Sequence, residues 1–155
     1  MDPVPGLARL EAMANPHSSK SRRLALFIAG AAVAVLGLAL HFLAAGDAAS
    51  LVADALYTVL VYLLFGFVAP AARRHRVALA AFAFSAVIEI AQLTGIPAQL
   101  GQAFPPSRLL LGTTFSALDL VAYAVGAAAA CAADTALSRR AASRRGRAWL
   151  ASRSE

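Results

Sequence analysis

The chain has 155 residues, of which 60% are hydrophobic and 14% charged, and its formal net charge is +6. A soluble domain carries about 45–50% apolar and about 25% charged residues, so the composition excludes an ordinary soluble globule and points into the membrane. The positive charge does not argue for nucleic acid, because the arginines flank apolar runs and form no basic stripe interleaved with aromatics.

In chain order, residues 1–23 carry proline, glycine and polar residues without a sustained period and read as a tail. Four apolar runs follow, at 24–43, 51–70, 77–97 and 115–137. At about 1.5 Å rise per residue each reaches roughly 30 Å, the hydrocarbon thickness of a bilayer. The runs lack strict alternation, which argues against strands, and a helix in lipid satisfies its own backbone hydrogen bonds. The first run exceeds the roughly 7–15 apolar residues of a signal peptide, although "LAAGDA" would offer a cleavage site. Residues 138–155 form a basic tail containing Trp149, suited either to fixing topology or to lying on anionic lipids. The expected fold is therefore an all-α integral membrane four-helix bundle.

Thirteen of the fourteen basic residues fall in the two tails or between the second and third runs, and Arg108 alone falls on the opposite side. The positive-inside rule then places both termini in the cytoplasm. Small residues recur every four positions at Ala122, Gly126 and Ala130, and again at Gly30 and Ala34, a spacing that permits close helix contact in lipid.

The polar residues within the runs carry the functional question. Ser85, Glu89 and Gln92 share one helix face; Asp54, Tyr57 and Thr58 lie along another; Asp119, Tyr123 and Gly126 along a third. A charge near the centre of a membrane helix costs about 2.5–3.5 kcal/mol, so the three acids should face inward, pair, or hold a proton. The available cation is Arg108, toward which Glu89 is expected to point. The candidate cluster is Asp54, Glu89, Gln92, Arg108, Asp119 and Tyr123. Cys131, within a small-residue run, reads as a buried apolar residue. No phosphate-binding loop, zinc-protease motif, nucleophile elbow or C-x-x-C is present. A Ser85–His41 pair has nothing to support it. No catalytic residue, metal site or cofactor is expected, and a non-enzymatic role is favoured.

The sequence Glu89-x-x-Gln92, then Arg108, then "LLLGTTFSALDLVAYAVG" at 109–126 resembles the small bacterial membrane proteins of the domain of unknown function 2809 family, themselves similar to VanZ-like proteins. The resemblance spans roughly residues 24–135 and implies a bacterial inner-membrane protein of unestablished activity. It carries over Glu89, Gln92, Arg108, Asp119 and Tyr123 by position, with Asp54 matching an acid at the start of the second span. Three roles stay open: a module that binds a polar or lipid-linked envelope component, a proton-coupled transporter using Glu89, or a scaffold whose polar residues clamp the helices. The partners expected are the bilayer, anionic lipid at the C-terminal tail, and a membrane-protein partner or second copy; nucleic acid is not among them.

Overall fold

A computed structural model describes the backbone of residues 16–44, 46–112 and 114–151, with side chains over residues 21–144 within those limits. The N-terminal tail up to residue 15, Arg153 and the side chain of Trp149 lie outside the described residues. Six helices follow in order: α1 (Pro16–Leu43), α2 (Asp47–Val68), α3 (Arg74–Gln92), α4 (Ile96–Ala103), α5 (Ser107–Leu111) and α6 (Ala117–Ala151). No strand occurs among the described residues. Four helices, α1, α2, α3 and α6, are long and apolar enough to cross a membrane, which marks the chain as a multi-pass membrane protein.

Burial is inverted relative to a water-soluble protein. The largest fully buried side chains are Tyr62, Glu89, Thr58 and Ser85, while leucines, valines and phenylalanines such as Phe27, Val35, Leu79 and Val121 stand exposed. An apolar shell around a partly polar interior is what a bilayer solvent demands. Inside, the Thr58 hydroxyl donates to Ser85 Oγ at 3.0 Å, joining α2 to α3. Ser85 thus bonds Thr58, whereas exposed His41 sits edge-on to the Phe42 ring.

Helix α2 is the hub, packing against α1, α3 and α6; α3 and α6 also pack together, and α1 packs its backbone against α2. The α2–α6 contact depends on Gly126, where an added Cβ would run into the backbone carbonyl of Ala55. Ala122 and Ala130 are buried on the same α6 face. Small side chains here let two backbones approach closely enough for dispersion to hold them.

The apolar run that continues to Pro97 in the sequence does not continue as helix: α3 stops at Gln92. Gly95 takes a left-handed φ of 73°, and Pro97 lies in the first turn of α4, where a missing N–H costs nothing. Helices α4 and α5 pack on each other and on the end of α3. At the far end of the chain α6 runs on through the basic segment to Ala151.

The ends of the four long helices opposite α4 and α5 are tied by Asp134. Its Oδ2 lies 3.0 Å from Arg22 Nη2 and 3.1 Å from Arg74 Nε. The Tyr62 hydroxyl donates to the same oxygen at 2.9 Å. Arg22 also donates to the Pro70 carbonyl, and Arg74 Nη2 donates to Ser138 Oγ at 2.6 Å. One carboxylate therefore links α1, α2, α3 and α6.

Candidate functional site

At the opposite end, α1, α2, α3, α5 and α6 surround a cavity of about 440 Å³. Asp54, Glu89, Gln92, Arg108, Asp119 and Tyr123 all line it, along with Tyr57 and His41. The volume falls within the roughly 300–1,000 Å³ of small-ligand sites. The helices bring these residues together because each lies near the same end of its helix. Asp54 comes seven residues after the start of α2, Glu89 three before the end of α3, and Asp119 in the first turn of α6.

Glu89 is fully buried and is held twice. The backbone N–H of Ser116 donates to its Oε1 at 2.6 Å, and the Tyr123 hydroxyl donates to its Oε2 at 2.9 Å. Ser116 immediately precedes α6, so the carboxylate meets the N-terminus of that helix, where unpaired N–H groups and the helix dipole favour negative charge. This corrects the expectation that Glu89 turns to Arg108. Among the described residues no ion pair joins Arg108 to Glu89, Asp54 or Asp119.

Arg108 is held elsewhere. Its Nε donates to the Gly101 carbonyl at 2.9 Å. A Cβ added at Gly101 would fall 2.6 Å from Arg108 Cγ, so the missing side chain provides the groove in which the arginine stem lies. Gln92 is 9% exposed, and its Nε2 donates to the Leu111 carbonyl at 2.8 Å. Its Oε1 is buried without a donor. Gly112 makes that geometry possible: it adopts φ 62° and ψ −171°, a conformation essentially reserved for glycine, and a Cβ there would lie 2.5 Å from Gln92 Nε2.

Asp54 and Asp119, both half-buried, take no hydrogen bond from any other described residue; Asp119 and Glu89 are the charges that Asp54 meets. The cavity wall also changes character with depth. The acids, Gln92 and Arg108 lie toward the helix ends, while Val33 and Ala34 on α1 and Leu60 on α2 lie deeper. Leu60 is thirteen residues into α2, or about 20 Å at the helical rise. Helices α1 and α5 both line the cavity, and their backbones make no close approach to each other. Three acids sit around one space, yet no group of three or more His, Cys, Asp or Glu among the described residues is placed to hold a metal ion.

The Asp134 clamp was not legible as a cluster from the sequence. The available signal was an acid inside an apolar run, fifteen residues after Asp119 and just before the arginines of the C-terminal segment.

A family model described as "Protein of unknown function (DUF2809)" matches residues 43–127, more than half of the chain. The chain belongs to the DUF2809 family. The matched region runs from the last residue of α1 into α6 and contains all six candidate residues, whereas Arg22 and Asp134 fall outside it. The match does not itself show a likeness to VanZ-like proteins. No curated protein and no solved structure matches the chain.

Proposed function

We propose that this DUF2809 protein is a non-enzymatic inner-membrane module that binds the headgroup of an amphiphile, a lipid or lipid-linked envelope component, in the cavity lined by Asp54, Glu89, Gln92, Arg108, Asp119 and Tyr123. One observation supports the reading: α1 and α5 both border the cavity with no close backbone contact between them, which we take as a sideways opening toward the bilayer. An aqueous solute needs a mouth facing water, whereas a lipid needs a lateral slot, a polar end for its head and an apolar end for its chains. The gradient from Arg108 and the acids to Leu60 and Val33 fits the second description.

Both termini lie in the cytoplasm in this reading, and the cavity opens in the outer leaflet. Arg22 and Arg74, which the positive-inside rule places on one side, both reach Asp134, which supports a common side for those helix ends. Glu89 serves the fold: two donors already hold it, which argues against its being the proton carrier of a transporter.

The test uses Gly37, which lines the cavity and has nothing within 4 Å of an added Cβ. Purified protein is analysed by native mass spectrometry for lipid retained after mild detergent extraction. Wild type and Gly37→Ala should retain lipid, and Gly37→Phe, which puts a ring on the cavity wall, should lose it while remaining folded. Undiminished lipid in a folded Gly37→Phe would overturn the reading.

A further inference from the structure

The cavity keeps its opposite charges apart, which is unusual where the two could meet. Arg108 is fixed through Nε to the Gly101 carbonyl, and its terminal guanidinium nitrogens make no hydrogen bond or ion pair among the described residues. Glu89 is fixed to Ser116 and Tyr123. Asp54 and Asp119 accept nothing from any other described residue, and the Gln92 amide is anchored through Nε2, which leaves Oε1 as a buried acceptor without a donor. Around this space the terminal nitrogens of Arg108 and the carboxylates of Asp54 and Asp119 are without partners among the described residues, and His41 and Tyr57 also line it.

Arg108 is exposed, so its terminal nitrogens are free to meet a ligand, while carboxylates that are half-buried without a donor are costly. An anionic headgroup would satisfy Arg108 and worsen the position of the acids. A simple amine would satisfy the acids and leave the guanidinium alone. A molecule carrying both signs, linked by a short spacer, satisfies both.

We propose, building on the amphiphile reading above, that the headgroup is zwitterionic, a primary amine joined to a phosphodiester, with the phosphate on Arg108 and the ammonium received by Asp54 and Asp119. A planar guanidinium matches phosphate oxygens in geometry as well as charge. A primary ammonium has three N–H donors to share between the two carboxylates. A trimethylated ammonium has none, so the site discriminates by hydrogen bonding as well as by charge.

The experiment is a titration of delipidated full-length protein with three phospholipids of identical acyl chains, read by native mass spectrometry. Phosphatidylethanolamine should bind about tenfold more tightly than phosphatidylcholine or phosphatidylglycerol, the scale expected for hydrogen bonds to charged groups. The Asp54→Asn/Asp119→Asn double variant should lose that preference, and Arg108→Gln should weaken phosphatidylethanolamine and phosphatidylcholine alike. Equal or tighter binding of phosphatidylglycerol or phosphatidylcholine by wild type would overturn the zwitterion assignment while leaving lipid binding intact, and this comparison decides even if the double variant does not fold. Binding of all three lipids no better than to Gly37→Phe would overturn the amphiphile reading itself. Soluble phosphoethanolamine competing as well as the lipid would uphold the amine–phosphate pairing and overturn the need for acyl chains.

Discussion

Replacing Glu89 with alanine should destabilise the protein by about 2–5 kcal/mol. The carboxylate satisfies two donors, the Ser116 N–H and the Tyr123 hydroxyl, at 2.6 and 2.9 Å. Each donor left unpaired away from water costs about 1–3 kcal/mol. Part of the loss is offset, because removing Glu89 also removes a negative charge from beside Asp54. Glu89→Gln separates the two contributions: an amide oxygen can still accept from Ser116, and the Tyr123 hydroxyl can rotate to accept from the amide nitrogen. That variant should cost only about 1 kcal/mol. Tyr123→Phe leaves one carboxylate oxygen without its donor, and its coupling to Glu89→Ala in a double-mutant cycle should reach about 1 kcal/mol. The assay is reversible unfolding of the purified variants in mixed micelles, followed by circular dichroism as denaturing detergent is added. A stability for Glu89→Ala within about 0.5 kcal/mol of wild type, the scatter of surface substitutions, would refute the claim that Glu89 latches α3 to the start of α6.

Three further outcomes follow from the same structure. Gly112→Ala should cost about 1–3 kcal/mol from backbone strain alone, with further loss as its Cβ displaces Gln92 Nε2, measurable by the same unfolding assay. Asp134→Asn should leave Arg22 and Arg74 facing each other without a counter-charge; both arginines are about one-third exposed, so solvent screening holds the cost to about 1–2 kcal/mol, read as a lower unfolding midpoint. A fluorescent-protein fusion after residue 155 should be bright and an alkaline phosphatase fusion at the same point inactive, as a cytoplasmic C-terminus requires.

The long helices were readable because the bilayer reduces the problem to length and apolarity, and residues such as Leu24 or Val121 face outward wherever a helix stands in lipid. The shared face of Ser85, Glu89 and Gln92 was readable for a similar reason: helical periodicity fixes which side chains turn inward together, and all three are buried. Periodicity does not say what an inward side chain meets. Glu89 met the start of α6 rather than Arg108, because the chain between α3 and α6 folds into two short helices that anchor the arginine on Gly101. That path depends on Gly95 and Gly112, whose positive φ values give no periodic signal. Asp134 was missed because its partners come from three other helices, and only their packing brings Arg22, Tyr62 and Arg74 to one oxygen.

The most direct measurement is an experimental structure of the protein reconstituted in a phosphatidylethanolamine bilayer. Headgroup density is expected between α1 and α5, with phosphate oxygens in hydrogen-bond reach of the Arg108 terminal nitrogens and the amine beside Asp54 and Asp119. A cavity closed by α1 meeting α5, with Arg108 in a salt bridge to Asp119 or Asp54, would contradict it.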